Sequence, residues 1–404
     1  MSVGDTPGVH ELPLAGIRVL DLATMMAAPA TAGYLAEFGA DVIKVEKPRE
    51  GDPQRQWGTR KDGEALYWKS LSRNKRSLTL DLRLPDGAEI LKRLVATADV
   101  VVANFRPGTL ERWGLGYETL ALVNPGLVML EVSGFGREGA LAGRPGFGTL
   151  AEARSGFAHL NGEADGPPTL PNMGLADQFS GVMGAFAVML ALYHRDRSDG
   201  RGQRVDLSLC DPILRLIEPS LLDWDQLGIA GRRTGSRSVH VAPRNVYRCG
   251  DGRWVALSAS TPATLRRVFA AMGRPELADD PRFCDNAARL ENVDELDGLI
   301  GAWMGTRPAA EVIETMEKAE AAVGPVHDIP DIFADESVAD RAALVTVTDP
   351  DLGAMRLVNV VPRLSRTPGT VRSTGPRLGE HTAEILSELG MAERLEELTE
   401  KGVI

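Results

Sequence analysis

The residue best placed for chemistry is a single carboxylate near the middle of the chain. Asp177 stands alone in the otherwise uncharged run 171–192, just before the apolar stretch Val182-Met183-Gly184-Ala185-Phe186-Ala187-Val188-Met189-Leu190. The apolar part is short and interrupted by glycine, which favours a buried core helix over a membrane span. Free N–H groups and the helix dipole stabilise a carboxylate in the first turn of such a helix. Asp177 is therefore predicted either to cap the helix only or to react as well.

Basic residues are concentrated between residues 44 and 76, although the formal net charge of the chain is −11. This concentration predicts a site for an anionic small ligand that carries phosphates. A solvated surface loop is the alternative, and the segment alone does not separate the two. Its members are Lys44, Lys47, Arg49, Arg55, Arg60, Lys61, Lys69, Arg73, Lys75 and Arg76.

Length and composition indicate an ordinary globular protein of two or three domains. The chain has 404 residues, of which 43% are hydrophobic and 25% charged, as is typical of soluble proteins. The negative net charge argues against a general nucleic-acid binder. The three cysteines and six histidines are too scattered for a disulfide framework or a metal site, which predicts a reducing, cytoplasmic setting. Residues 1–11 are polar, lack the apolar core of a secretion signal and are predicted to form a loose tail.

Alternating strand and helix patterns predict how the carboxylate and the basic segment are positioned. Apolar strands are expected at 16–22, 41–46, 100–104, 127–133 and 204–209, with helices at 27–38, 86–98 and 109–123. This order predicts an α/β fold with a doubly wound parallel sheet in residues 1–225, and ligands at the carboxyl ends of its strands.

A smaller α+β domain is predicted for residues 226–329. It would contain a hairpin at 245–249 and 254–258 and helices at 262–272, 286–304 and 308–321. The C-terminal segment 330–404 is expected to return to the large domain, with a strand at 358–364 and a helix at 381–389.

Cofactor motifs are absent from the sequence. Gly146-Phe147-Gly148-Thr149-Leu150-Ala151 fits a relaxed dinucleotide pattern but does not follow directly on a strand, so nicotinamide or flavin binding is not favoured. The sequence contains no P-loop, zincin helix or nucleophile elbow. No metal and no permanently bound cofactor are expected.

Several segments in a fixed order carry a family resemblance over nearly the whole chain. The chain resembles the class III CoA-transferases, which include formyl-CoA transferase and carnitine CoA-transferase. The segments are Leu14-Ala15-Gly16-Ile17-Arg18-Val19-Leu20-Asp21-Leu22, Gly39-Ala40-Asp41-Val42-Ile43-Lys44-Val45-Glu46, Asn74-Lys75-Arg76-Ser77-Leu78-Thr79-Leu80-Asp81-Leu82, Asn104-Phe105-Arg106-Pro107-Gly108-Thr109-Leu110-Glu111-Arg112-Trp113-Gly114-Leu115-Gly116, Gly200-Arg201-Gly202-Gln203 and Pro376-Arg377-Leu378-Gly379-Glu380-His381-Thr382.

The resemblance implies specific roles for single residues. Asp177 matches the family's catalytic aspartate, which would carry CoA through an aspartyl anhydride and an aspartyl-CoA thioester. The substrates would be an acyl-CoA and a small carboxylic acid, and two chains would form an interlocked homodimer. The helix N-terminus is expected to keep Asp177 ionised, and the amides of Gly146, Gly148 and Gly174 to serve as oxyanion donors. The implied contacts with the adenine and phosphates of CoA are Lys47, Lys75, Leu80, Asn104, Phe105 and Arg112.

Three departures from the family pattern leave the substrate open. Met26 stands where some transferases have glutamine, Gly148 aligns with an acidic residue of formyl-CoA transferase, and 238–245 has no glycine-rich loop. Oxalate and formate are therefore not favoured, and a dicarboxylic or branched short acid is a candidate.

Two alternatives stay open beside CoA transfer. An α-methylacyl-CoA racemase would share this fold, but its histidine belongs in the loop 144–148, where this chain has none; His159 comes a dozen residues later. A proton shuttle needs a second base. A non-catalytic acyl-CoA binding protein is the other alternative, and the matching context of Asp177 argues against it.

Overall fold

The computed structural model of the chain describes residues 12–404, so the predicted tail 1–11 lies outside the described part. A six-stranded parallel sheet forms its centre, in the order β5-β2-β1-β6-β7-β8. The predicted α/β fold with a parallel central sheet is confirmed. The strands are β1 Arg18–Asp21, β2 Asp41–Glu46, β3 Arg60–Lys61, β4 Glu64–Ala65, β5 Lys75–Thr79, β6 Val100–Ala103, β7 Val128–Ser133, β8 Arg204–Ser208, β9 Arg244–Arg248, β10 Trp254–Ser258, β11 Ala322–Pro325, β12 Leu344–Asp349 and β13 Gly353–Val358.

Eighteen α-helices are found in the described residues. They are α1 Ala27–Glu37, α2 Leu66–Leu71, α3 Pro85–Val95, α4 Thr109–Arg112, α5 Tyr117–Val123, α6 Gly148–Arg154, α7 Phe157–Leu160, α8 Leu175–Arg197, α9 Cys210–Leu216, α10 Glu218–Leu227, α11 Pro262–Ala271, α12 Asn286–Glu291, α13 Val293–Met304, α14 Ala309–Lys318, α15 Ile329–Ala334, α16 Glu336–Asp340, α17 Thr382–Glu388 and α18 Leu395–Glu400.

Two separate apolar clusters cover the two faces of the central sheet. Leu20 of β1 belongs to one cluster, with α3 and α17, whereas the adjacent Val19 belongs to the other, with α1 and α8. Neighbouring strand residues point to opposite faces, so a strand buried on both faces must be apolar throughout. This explains the consecutive apolar residues in β1, β6 and β7, namely Val19-Leu20, Val100-Val101-Val102-Ala103 and Val128-Met129-Leu130.

Small residues let α8 lie close to α1. A Cβ added to Gly184 would be 2.4 Å from Thr31 Oγ1, and one added to Gly181 would be 2.8 Å from the Cβ of Ala30. Thr31 Oγ1 also donates a 2.9 Å hydrogen bond to the carbonyl of Gly181. The glycines that interrupt the apolar run thus fix the position of the helix that carries Asp177.

The chain divides into two compact units. The first contains the described residues up to Phe157, Leu170–Leu221 and Ala339–Ile404, and the second contains Ala158–Thr169 and Leu222–Val338. The longer segment of the second unit thus begins at Leu222 and ends at Val338, whereas the predicted domain runs from 226 to 329. The segment Ala158–Thr169 belongs to the second unit, which the sequence pattern did not indicate.

The second unit is built on the antiparallel sheet β11-β10-β9. The predicted hairpin is confirmed as β9 and β10, paired in antiparallel register. Helices α11, α13 and α14 bury Val268, Ile300 and Val312 against this sheet in a core of their own.

Three sequence predictions need correction, and one strand of the central sheet was not predicted. The helix expected at 286–304 is two helices, α12 and α13, separated at Asn292. The helix expected at 109–123 is two helices, α4 and α5, because Gly114 between them adopts a φ of +67°. The strand expected at 358–364 is wrong: the strands are β12 and β13, which form a hairpin ending at Val358. Strand β5 was not predicted, since its sequence KRSLT is mostly polar.

Helix α8 is also longer than its apolar run. It has 23 residues and is the one helix of the described chain whose length and composition would suffice to cross a membrane. Helices of that kind are also found in the cores of soluble proteins, and α8 packs closely on α1 and β7. Its composition alone is therefore weak support for a membrane span.

Candidate active site

Asp177 does not act as a helix cap. Helix α8 begins at Leu175 after the N-cap residue Gly174, and the carboxylate of Asp177 accepts no hydrogen bond from residues 12–404. Glu152 of α6 stabilises the helix start instead, because its Oε1 accepts a 3.0 Å hydrogen bond from the N–H of Ala176. The capping-only interpretation of Asp177 is therefore wrong. Glu152 was missed because it caps α8 from another helix, and no local pattern marks such a contact.

A cavity of about 240 Å³ takes up the side chain of Asp177. It lies where β1, β6 and β7 end, the edge at which parallel α/β sheets bind ligands. Three of its lining residues carry charge: Asp177, Arg106 and Arg144. The full lining is Thr24, Met25, Met26, Ala27, Asn104, Phe105, Arg106, Pro107, Val132, Ser133, Gly134, Ala142, Arg144, Pro145, Gly146, Phe147, Asp177 and Leu209.

Glycines leave the space that the carboxylate occupies. A Cβ added to Gly148 would lie 2.2 Å from Asp177 Oδ2, and one added to Gly174 would lie 2.8 Å from Met26 Cε and 3.3 Å from Asp177 Oδ2. Two of the three positions that depart from the family pattern, Met26 and Gly148, thus adjoin Asp177. The oxyanion-donor role of the glycine amides stays a prediction.

Burial and, to a smaller extent, the nearby carboxylate of Glu152 together raise the pKa of Asp177 to about 6. The desolvation of the carboxylate outweighs the helix dipole that was expected to lower this pKa. Asp177 is nevertheless mostly ionised at pH 7. A desolvated carboxylate without hydrogen bonds is a stronger nucleophile than a solvated one, because no donor has to be removed before it attacks.

A second cavity of about 280 Å³ adjoins the first, and Thr24 and Phe105 line both. Phe105 packs edge-to-face against Trp113, with ring centroids 5.3 Å apart. Lys47 and Arg83 supply cations at the surface of this cavity. The two cavities together lead from Lys47 and Arg83, which are paired with Glu50 and Asp81, to the carboxylate of Asp177.

Comparison with known proteins identifies the family of the chain. The profile of CoA-transferase family III matches residues 14–382. The chain belongs to CoA-transferase family III.

The relatives of this CoA-transferase cover almost its whole length. It is 43% identical to succinyl-CoA–D-citramalate CoA-transferase of Chloroflexus aurantiacus, over 93% of this chain and 94% of that protein. It is 44% identical to the beta subunit of succinyl-CoA–L-malate CoA-transferase of the same organism, over 97% and 98%. A crystal structure of a CAIB/BAIF family protein from Brucella suis superposes with a TM-score of 0.82 at 32% identity, covering 94% of this chain and 100% of that one.

Besides Asp177, four of the six predicted CoA contacts of the transferase line at least one of the two cavities. Lys47 and Leu80 line the second cavity, Asn104 lines the Asp177 cavity, and Phe105 lines both. Asn104 also fixes the loop after β1: it accepts a 2.9 Å hydrogen bond from the N–H of Thr24 and donates a 2.7 Å bond to the Thr24 carbonyl. Arg112 is exposed, lines neither cavity, and donates to Thr109 Oγ1 at 3.0 Å.

Lys75 is not brought to either cavity. In place of the expected phosphate contact, its Nζ is fully buried, 2.8 Å from Asp21 Oδ2 and 2.7 Å from the carbonyl of Pro29. Lys44 is similarly buried, 2.9 Å from Asp52 Oδ2. A buried, paired ammonium is not free to bind a ligand, because removing it from its carboxylate leaves an uncompensated buried charge.

The basic segment 44–76 is thus largely structural. Arg55 pairs with Glu46, Lys69 with Asp351, and Arg76 with Asp41. The sequence pattern did not distinguish these buried pairs from ligand-binding cations. Conversely, Arg83 lies in the second cavity just beyond that segment and was missed.

No histidine and no group of side chains able to hold a metal ion accompanies Asp177 in the part of the chain that the structure describes. Within residues 12–404, no group of three or more His, Cys, Asp or Glu side chains could hold a metal ion, and the three cysteines are free. The lining of the Asp177 cavity contains no histidine. His159 belongs to the second unit, in α7.

Replacing Glu152 by glutamine is expected to shift the acidic limb of the pH–rate profile. If Asp177 is the nucleophile, only its ionised form reacts, so kcat/KM is expected to fall as the pH drops through about 6. Glu152→Gln keeps an oxygen for the Ala176 N–H but removes the negative charge, so the pKa of Asp177 falls and the limb moves to lower pH. Rates measured between about pH 4.5 and 8 test this. The exposed Glu138→Gln is the control, and an unmoved or raised limb in Glu152→Gln would contradict the assignment.

Proposed function

We propose that the enzyme moves CoA from an acyl-CoA to a carboxylic acid through covalent intermediates on Asp177. The observation that carries this proposal is an ionised carboxylate without a hydrogen-bond partner among the described residues, desolvated within a cavity that adjoins a second cavity lined by Lys47 and Arg83. Membership in CoA-transferase family III supports the overall reaction.

The proposed steps conserve the energy of the thioester. Asp177 attacks the thioester carbonyl, the C–S bond breaks, and a mixed anhydride and CoA thiolate result. The thiolate attacks the aspartyl carbonyl, and the donor acid leaves with the bridging oxygen. The acceptor carboxylate then attacks the aspartyl-CoA thioester to form a second anhydride. The thiolate attacks the acceptor's acyl carbon and releases Asp177 as a free carboxylate.

We place the nucleotide end of CoA in the second cavity and the thioester in the Asp177 cavity. Lys47, Arg83 and Leu80 would meet the phosphates and adenine, and Phe105 and Asn104 would line the way to Asp177. Lys47 is paired with the exposed Glu50, and such surface pairs contribute so little that a phosphate can replace the carboxylate. Arg112 stays a proposed contact at the exposed rim, whereas Lys75 is assigned a structural role.

The names of the relatives support a short dicarboxylic acyl group. Both Chloroflexus aurantiacus proteins are named for succinyl-CoA and for a dicarboxylic acceptor, citramalate or malate. We propose the same class of substrates here and a cytoplasmic setting for the reaction.

We further propose that two copies form a homodimer through α8. Its side chains Val182, Phe186, Leu190 and Tyr193 are spaced for one helix face and are 46–64% exposed. Contiguous exposed apolar side chains of this kind are typical of an interface. Phe186→Glu is therefore expected to shift the protein from dimer to monomer in light scattering. The exposed polar control Arg93→Gln on α3 should remain dimeric, and a monomeric wild-type protein would contradict the proposal.

A single incubation distinguishes CoA transfer from racemisation and from binding without catalysis. Acyl-CoA is incubated with isotopically labelled acceptor acids, and the formation of acceptor-CoA is followed together with exchange of the α-proton. Transfer without exchange supports the proposal, exchange without transfer would indicate a racemase, and neither would indicate a binding protein.

Hydroxylamine should inactivate the enzyme only when acyl-CoA is present, because it traps the activated aspartyl group.

A further inference from the structure

Two arginines of the Asp177 cavity have no partner within the protein. Arg106 and Arg144 line this cavity, and neither guanidinium forms a hydrogen bond or an ion pair with a residue in 12–404. The neighbouring Arg137 is different, because it pairs with both Glu111 and Glu131. An unpaired guanidinium in a ligand cavity is available for an anionic group of the ligand.

The loop that carries Arg144 is held between β7 and Asp177. Gly146 and Gly134 approach so closely that a Cβ added to either would lie 2.5–2.6 Å from the Cα of the other. Two residues later, Gly148 is in contact with the carboxylate of Asp177. The backbone on which Arg144 stands is thus fixed near the reacting group.

Arg106 is placed nearer to the CoA side. It directly follows Phe105, which lines both cavities, and precedes Pro107. The loop of Arg144 contributes to the Asp177 cavity alone. Of the two cations, Arg144 is therefore the one to meet the acyl chain beyond the thioester.

Arg144 does not neutralise the carboxylate of Asp177. The pKa of Asp177 is raised by burial and by Glu152, whereas an adjacent guanidinium would lower it. Apart from the two arginines and Asp177, the lining is uncharged. A substrate with one carboxylate at the far end of its acyl chain would supply the missing counter-charge.

We propose that Arg144 binds the distal carboxylate of a short dicarboxylic acyl group and so determines the specificity of the enzyme. The inference rests on the proposed function, because Asp177 must hold the other end of that group. The guanidinium donates two N–H groups to the carboxylate, a geometry that also orients the chain. A monocarboxylic acyl group of equal length would leave Arg144 unpaired and bind more weakly.

Succinyl-CoA and butyryl-CoA test this, because their acyl chains are equally long and differ in the distal carboxylate. Arg144→Gln is expected to lower kcat/KM for succinyl-CoA by about 10- to 100-fold, the range of a lost charge-assisted pair. The value of kcat/KM for butyryl-CoA should change by less than about twofold. Arg144→Lys should recover part of the loss on succinyl-CoA, because lysine keeps the positive charge but lacks the two parallel N–H donors of the guanidinium. Arg93→Gln, an exposed arginine outside both cavities, should leave both substrates unaffected.

A binding measurement separates this inference from the proposed mechanism. In the Asp177→Asn background no covalent step can occur, and calorimetry with the same two thioesters should show that Arg144→Gln weakens succinyl-CoA alone. The role of Arg144 would be overturned if Arg144→Gln weakened the binding of both thioesters equally or of neither. It would also be overturned if Arg106→Gln, and not Arg144→Gln, selectively weakened the binding of succinyl-CoA. If Arg144→Gln weakened the binding of succinyl-CoA alone but Asp177→Asn still transferred CoA at the wild-type rate, the role of Arg144 would stand and the covalent mechanism would be overturned.

Discussion

Replacing Asp177 by asparagine is expected to lower kcat for CoA transfer by about 10⁴-fold or more, the scale on which loss of a covalent nucleophile acts. The amide is nearly isosteric with the carboxylate, so the cavity and the binding of acyl-CoA should be preserved. The loss should therefore be seen in kcat and not in the dissociation constant of acyl-CoA. Steady-state kinetics and calorimetry on the same preparation measure the two quantities.

The matched control for this substitution is Glu118→Gln, an exposed carboxylate in the first turn of α5. It makes the same chemical change at a helix start outside both cavities and should keep full activity. Transfer by Asp177→Asn within tenfold of the wild-type rate would show that Asp177 is not the nucleophile.

The same variant should be more stable than the wild type near neutral pH. The pKa of Asp177 is raised from 3.8 to about 6 in the folded protein, so the fold disfavours the ionised form. This cost is absent at pH values below the pKa of Asp177 in the unfolded chain, and it is complete above the pKa of Asp177 in the folded protein. Asp177→Asn should therefore raise the free energy of unfolding by about 1–3 kcal/mol at pH 7 and leave it unchanged at about pH 3. An inactive but stabilised variant would exclude misfolding as the cause of inactivity.

Replacing Gly148 by alanine is expected to lower kcat by about 100-fold or more, although alanine is the better helix former. The added Cβ would lie 2.2 Å from Asp177 Oδ2, a separation that non-bonded atoms do not adopt, so the carboxylate has to move. A displacement of the reacting group by about 1 Å is enough for a loss of this size. Rates and the dissociation constant of acyl-CoA are compared with those of the wild type.

Gly143→Ala supplies the control within the same loop. A Cβ at that position meets no atom within 4 Å, so it adds the same methyl group without displacing Asp177. Equal activity of the Gly148→Ala and Gly143→Ala variants would mean that the position of the carboxylate is not critical.

The central sheet could be predicted because its strands are buried on both faces. Apolar runs such as those of β1, β6 and β7 have few other interpretations. Strand β5 could not be found in this way, because Lys75 and Arg76 are neutralised by Asp21 and Asp41, carboxylates far away in sequence. The α4–α5 break likewise depends on the left-handed conformation of Gly114, which the apolar pattern does not encode.

The sequence could place a candidate site residue where its position depends only on a neighbouring strand or helix. Asn104 and Phe105 follow β6 directly, and Asp177 lies in the first turn of α8, so both positions are indicated by local sequence. Lys75 could not be separated from a ligand-binding cation, since only the fold shows that its partner is Asp21. Glu152 and the space left by Gly148 are long-range contacts of the same kind.

The most direct test of the covalent mechanism follows an oxygen atom. The acceptor acid is labelled with ¹⁸O in its carboxylate and incubated with acyl-CoA and enzyme through many turnovers, and the peptide that contains Asp177 is examined by mass spectrometry. If the acceptor attacks an aspartyl-CoA thioester, its bridging oxygen remains on Asp177 when the second anhydride is cleaved, and the peptide gains ¹⁸O. Turnover that leaves the Asp177 peptide unlabelled would contradict the mechanism.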